Sequence, residues 1–312
     1  LATDWIARAT LDHELREGWC AAVSTAWLPR AVMPYLGAAA DPEVAGGVVI
    51  LTPDLSNELI AWERPGHDPV IDTPTLERVL TAVARLHSLP TASLTRTSDG
   101  AELDPPWCPV AERLTLLTPR SAAAYAAAGN PVGDRFLAGW DAFRRRAGAD
   151  AADLVDRLAT DPTPLVDALA PLPVVALHGD LKLANVALLP GDQVAFIDWQ
   201  MMLRAPIAVE LGWFLVANSA SLADPPSEVM AAYQRALDWN RWGYLEPGHD
   251  GSSVTGDWET TLDLTWITGL LLRGWRKGLD ADAGVSLPSG LTAADDLAWW
   301  AQQAVEAADR RL

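Results

Sequence analysis

The chain has 312 residues and a formal net charge of -18, so a nucleic-acid partner, which would need clustered lysine and arginine, is not expected. No apolar run approaches the ~20 residues that cross a bilayer, and no cationic, apolar leader opens the sequence. A soluble, cytoplasmic protein without membrane partners is therefore expected, and its acidity favours a cationic small molecule over an anionic one. Cys20 and Cys108 are too few for a disulfide or zinc framework.

In chain order, Asp4 to Ala26 reads as a helix. Trp5, Ile6, Ala9, Leu15 and Trp19 recur at three- and four-residue spacing, and the charged pair Arg16-Glu17 interrupts the stripe. Val32 to Ala39 and Val48 to Thr52 are apolar runs on either side of Asp41 to Gly47, which predicts a β-hairpin. Thr73 to Leu89 predicts a second helix, with Thr73 as cap, Glu77 in the first turn, and Leu76, Val79, Leu80, Val83, Leu86 and His87 on one face. His87 at its end is expected to be a packed histidine rather than a catalyst. Thr91 to Pro173 reads as Ala-rich helices broken by Pro and Gly stretches.

Further helices are predicted from Glu210, over Asp257 to Trp275, and from a capping-box variant at Thr292 to Asp295, where Leu297, Trp300 or Ala301, Ala304 and Ala308 face inward. Glu259 and Asp263 belong either to a solvated face or to a pocket for a polar, amine-bearing substrate. Most of the fifteen tryptophans are expected in the core, although an indole face can also stack on a sugar or attract a cation.

One stretch carries chemistry. Val174 to Leu177 is a short buried run, followed by His178-Gly179-Asp180-Leu181-Lys182-Leu183-Ala184-Asn185 and later by Phe196-Ile197-Asp198-Trp199. Between them, Val186 to Leu189 and Val194 to Ile197 flank Pro190-Gly191-Asp192, which predicts a hairpin. Antiparallel pairing then carries the Asn185 amide oxygen and the Asp198 carboxylate to one place. Hard oxygen ligands in small number suit Mg²⁺, whose shell is completed by water and substrate phosphates. Asp180, on the loop nearby, can accept the proton of an attacking hydroxyl.

The H-G-D-x-x-x-x-N stretch and the later I-D-W resemble the catalytic loop and metal-binding triplet of the aminoglycoside phosphotransferase and choline kinase-like family, relatives of protein kinases. The resemblance implies an α+β, two-lobed, protein-kinase-like fold. Residues 1–53 would form an incomplete N-lobe ending at a hinge, and residues 54–312 a mainly helical C-lobe. It implies an ATP-dependent kinase using Mg²⁺, with an aminoglycoside, amino sugar, amino alcohol or related hydroxyl compound as acceptor; the alternative is an inactive pseudokinase or nucleotide-binding module.

By resemblance Asp180 is the base, Asn185 and Asp198 bind metal, and His178 braces the loop. Lys182 matches a lysine found there in protein kinases, and either touches the transferred phosphate or is a solvated loop residue. Glu17, with Glu14 as the other candidate, corresponds to the helix glutamate that pairs with a strand lysine. Backbone groups of Leu51, Thr52 and Pro53 would meet an adenine edge, Pro53 lacking an N–H. Glu210 stands where the family places an acid that binds back to the catalytic loop; a first-turn carboxylate favoured by the helix dipole is the other reading. Lysine occurs only at 182 and 277, and no Gly-rich loop appears in the first forty residues. The strand lysine and phosphate-covering loop are therefore expected upstream of Leu1 in a longer protein, unless the kinase is degraded.

Overall fold

A computed structural model describes residues 6, 9, 10, 16–27, 33–40, 47–60, 70–88, 105–243 and 256–312. In chain order the elements are helix α1 (Arg16–Trp27), strands β1 (Gly37–Ala40) and β2 (Val48–Leu51), and helices α2 (Thr73–His87), α3 (Val110–Thr115), α4 (Pro119–Ala127), α5 (Pro131–Arg146), α6 (Ala149–Thr160) and α7 (Thr163–Leu169). Then come strands β3 (Val175–Leu177), β4 (Val186–Leu189), β5 (Gln193–Phe196) and β6 (Leu203–Ala205), and helices α8 (Ile207–Ala217), α9 (Pro226–Gly243), α10 (Trp258–Asp282) and α11 (Ala293–Arg311). The fold is α+β as expected, with short antiparallel strand pairs β1-β2, β3-β6 and β4-β5 among long helices.

Two compact units divide the chain. The first takes its described residues from 1–109, 174–205 and 225–254, and the second from 110–173, 206–224 and 255–312. The first unit joins the N-terminal elements to the stretch that carries the motif.

In the first unit β1 and β2 pair antiparallel, Gly37 opposite Leu51 and Ala40 opposite Val48; the turn expected at Asp41 to Gly47 lies mostly outside the described residues. Helix α1 packs on this hairpin through Gly18, where an added Cβ would lie 2.5 Å from the Val48 side chain. The Arg16-Glu17 pair does not break the helix: both residues lie in its first turn, and Arg16 is 1% exposed. The cap of α2 is Asp72 rather than Thr73. Asp72 has extended backbone, and its carboxylate accepts the Thr75 N–H at 2.9 Å, which draws its own pKa down through the Thr75 side-chain and backbone hydrogen bonds. The predicted face of α2 is buried, and His87 Nδ1 lies 2.7 Å from the Tyr233 hydroxyl of α9, a packed histidine.

In the second unit, α10 crosses α5, α8 and α11. Asp257 caps α10, and Arg273 interrupts its helical backbone at φ -146°, ψ 19°. Asp263 is not on a solvated face; it is buried and holds Arg310 at 2.6 Å and Arg311 at 2.7 Å. Burial pushes its carboxyl up, but the two guanidiniums outweigh this and hold it below the usual range. The capping box at Thr292 forms, with Asp295 N–H on Thr292 Oγ1 at 3.1 Å. Trp140, Trp199, Trp213, Trp266, Trp275 and Trp300 are buried, as expected for core indoles, whereas Trp239 is 77% exposed. Among the described residues no helix is long and apolar enough to cross a membrane.

Lys277 of α10 and Asp296 of α11 form a buried ion pair, the ammonium 4.6 Å from the centre of the Trp300 ring. Removing one member strands the other without solvent. Lys277→Met is expected to lower the free energy of urea unfolding by ~3–5 kcal/mol, whereas Lys277→Met with Asp296→Leu recovers most of that loss. A double variant as unstable as the single one would show that packing, not charge, holds this crossing.

Candidate active site

The hairpin β4-β5 pairs Val186 with Phe196, Ala187 with Ala195, Leu188 with Val194 and Leu189 with Gln193. Gly191 and Asp192 turn the chain with positive φ. Arg78 of α2 donates to the carbonyls of both end residues, Leu189 and Gln193, which fastens the register. Residues 58–60 run along the other side of β4, with Ile60 N–H on Val186 C=O at 2.9 Å and Leu188 N–H on Glu58 C=O at 2.8 Å. The open end of the hairpin is continued by the Ile197 N–H, which donates to Asn185 C=O at 3.0 Å. Asn185 therefore precedes β4 beside the residue that leads into Asp198, as the spacing predicts.

The loop before β4 is pinned to this end. His178 is fully buried, and its Nδ1 accepts the Asp180 N–H at 3.2 Å. Nε2 must then carry the ring proton, and it donates to Ile197 C=O at 2.8 Å. The ring lies 4.6 Å from that of Trp199, whose own N–H donates to Phe196 C=O at 2.9 Å. Gly179 lies between them at φ 86°, and an added Cβ would fall 1.9 Å from Met201 C=O. Both the left-handed backbone and the lack of space require glycine there.

Asp180 Oδ2 receives Lys182 Nζ at 2.9 Å and Asn185 Nδ2 at 3.4 Å, while Asn185 Nδ2 also donates to Asp180 C=O at 2.9 Å. The Asn185 amide nitrogen is thus engaged by Asp180, which leaves Oδ1 to face a cation. Lys182 is an ion-pair partner of Asp180 and not simply a solvated loop residue.

Asp198 stands in the left-handed region, φ 66° and ψ 61°, and its carboxylate has no hydrogen-bond donor among the described residues. Burial, then the charges of Asp180 and Glu17, push its pKa up to about 6, against the opposing pull of Lys182 and His178. Glu17 accepts the Tyr35 hydroxyl at 2.7 Å; burial, and then this carboxylate, push the Tyr35 phenol up. Asp180 and Glu17 therefore crowd Asp198 with negative charge that Lys182 and His178 offset only in part. Among the described residues no three His, Cys, Asp or Glu side chains form a ready metal cage.

The other expected residues are placed as follows. Leu51 C=O accepts Leu36 N–H at 2.8 Å, and Thr52 and Pro53 follow the end of β2. Glu210 is 1% exposed in the first turn of α8, in the second unit. Glu14 lies outside the described residues. Arg16 went unrecognised in the sequence; its buried guanidinium donates to Gln200 C=O at 2.9 Å, two residues beyond Asp198. An arginine at a position where the helical stripe calls for an apolar residue was the available signal.

The sequence profile described as the phosphotransferase enzyme family matches residues 38–247. No curated protein matches the chain. Among solved structures, a choline/ethanolamine kinase family protein from Mesorhizobium loti is similar at 17% identity and TM-score 0.40, over 94% of this chain and 83% of that one. An aminoglycoside phosphotransferase from Alicyclobacillus acidocaldarius is similar at 14% identity and TM-score 0.36, over 99% and 84%.

The raised Asp198 pKa has a definite sign. The folded protein holds this proton more tightly than the unfolded chain, so the contribution to stability is full below about pH 4 and lost as pH rises to about 6. The metal-free Asp198→Asn variant is expected to match the parent in stability at pH 4 and to exceed it at pH 7.5 by about 3 kcal/mol, with a higher melting temperature there. Thermal melts of the pair between pH 4 and 8 check it. Parallel curves across that range would mean that the Asp198 carboxylate is not crowded.

Proposed function

The chain belongs to the phosphotransferase enzyme family, and on that premise we propose that it moves the γ-phosphate of ATP onto a hydroxyl group of a small molecule. The observation that carries this reading is the meeting of Asp180, Asn185 and Asp198 at the open end of one hairpin. Aminoglycosides, amino sugars and amino alcohols are the acceptors we favour, because a net charge of -18 attracts cationic substrates.

Asp180 is the base in this scheme. Lys182 and Asn185 hold its Oδ2, so Oδ1 is the oxygen that orients the acceptor hydroxyl and takes its proton. Lys182 orients the carboxylate, and the same ammonium is within a side chain's reach of any phosphate brought to Asp180. Asn185 Oδ1 and the Asp198 carboxylate would hold Mg²⁺; when bound, it offsets the charge on the phosphate oxygens. Their fit rests on the unpartnered Asp198 carboxylate and on the fixed orientation of the Asn185 amide. His178 acts at one remove: it fixes the peptide of Asp180 and the carbonyl before Asp198. Thr52 and Pro53 offer backbone groups to the adenine edge, at a functional boundary between residues 1–53 and the rest.

A second reading, a nucleotide-binding protein without turnover, is favoured by one observation. Glu17 accepts Tyr35, and neither lysine of the chain is near it in role: Lys182 holds Asp180, and Lys277 holds Asp296.

ADP release over a panel of aminoglycosides, sugars and amino alcohols separates the two readings. For the accepted substrate, Asp180→Asn is expected to lower kcat by ~10²–10⁴ with little change in the KM for Mg·ATP. Equal turnover by variant and parent removes Asp180 as base. Calorimetric binding of Mg·ATP with no turnover of any hydroxyl compound favours the second reading.

A further inference from the structure

Arg16 lies one residue before Glu17 on α1, and its hydrogen bonds reach the turn that follows Asp198. Its guanidinium is buried and donates to four acceptors from three separate stretches: Nε to Pro106 C=O, Nη1 to Gln200 C=O at 2.9 Å and to Thr10 Oγ1 at 3.2 Å, and Nη2 to Thr10 C=O at 2.6 Å. A guanidinium presents five N–H donors in a rigid fork, so carbonyls bound to it are fixed relative to one another. An apolar side chain of similar volume would fill the same space at a lower desolvation cost, but it would fix no directions.

The two segments fixed are those that carry Glu17 and Asp198. Glu17 follows Arg16 directly on α1. Gln200 lies in the single turn 199–201 that begins at Asp198. The same helix reaches the end of that turn a second time, where the Cys20 thiol meets Met202 Sδ at 3.0 Å. Met202 closes the turn with its N–H on Trp199 C=O at 3.1 Å, and its C=O accepts the Cys108 N–H at 2.8 Å. The backbone at Asp198 needs such support, since a non-glycine residue at φ 66° keeps that conformation only where its surroundings over-determine it.

We propose that Arg16 is a positioning residue for phosphoryl transfer, a buried strut that locks the turn carrying Asp198 to the helix carrying Glu17. It acts through the Gln200 carbonyl and contacts no reacting atom. The inference rests on the reading of Asp198 as a metal ligand, and it adds a residue that holds the ligand in place. Lysine cannot replace it, because one ammonium on a single stem cannot bind carbonyls from three stretches in a planar fork.

The test uses Arg16→Lys and the milder Thr10→Val, which removes one acceptor of the fork. In hydrogen exchange on the metal-free protein, Arg16→Lys is expected to speed exchange of the Met202 amide ~10-fold or more while amides of β4 and β5 keep parent rates. In turnover with Mg·ATP it should lower kcat ~10-fold and raise the half-saturating Mg²⁺ concentration with an unchanged acceptor KM. Thr10→Val should move both readouts the same way by a smaller factor. Parent-like exchange at Met202 in Arg16→Lys overturns the proposal, as does faster exchange spread equally over β4 and β5, which would make Arg16 a general scaffold residue. A parent protein without metal-dependent turnover sinks the phosphotransferase reading alone, because the exchange measurement needs neither metal nor activity.

Discussion

A one-residue slip between β4 and β5 would turn every side chain of the hairpin to its other face and carry Asp198 away from Asn185. The pairing of Val186 with Phe196 is therefore the constraint on which the site depends. It is held from outside the hairpin as well as within it. Arg78 grips both strand ends at the closed side, residues 58–60 line the free edge of β4, and His178 ties the open side to the preceding loop. Each of these contacts acts on backbone, not on the side chains of Asp180, Asn185 or Asp198.

What this frame holds is electrostatically unfavourable by itself. Asp198 is partly buried, has no donor among the described residues, and feels two other carboxylates. Lys182 pairs with Asp180 and only partly offsets the crowding at Asp198. A small divalent cation at the proposed site would relieve this crowding, since it brings charge without demanding a full protein cage. The left-handed backbone at Asp198 and the positive φ at Gly179 are local costs of the same arrangement.

The sequence revealed what is local. Two apolar runs around the turn-forming Pro190-Gly191-Asp192 pointed to the hairpin, and with it to the approach of Asn185 to Asp198; the apolar face of α2 and the cap at Thr292 were equally plain. The cap of α2 was missed by one residue because Asp72 and Thr73 are both good caps, and only backbone conformation distinguishes them. What stayed hidden depends on distant partners. Arg16 looked like an interruption of a helix because the carbonyl it binds lies 184 residues away. Asp263 looked like a surface or pocket acid because its arginines lie 47 and 48 residues away, at the end of the chain. Periodicity cannot tell a buried charge with a remote partner from an exposed one.

The account stands or falls on whether Asn185 and Asp198 share a metal ion. Crystals soaked with Mn²⁺ and a non-hydrolysable ATP analogue, with data collected at the manganese absorption edge, give the answer directly. The account predicts an anomalous peak at ~2.1 Å from an Asp198 carboxylate oxygen and from Asn185 Oδ1, with nucleotide phosphate oxygens completing the shell. A bound nucleotide whose manganese lies away from both residues would contradict it.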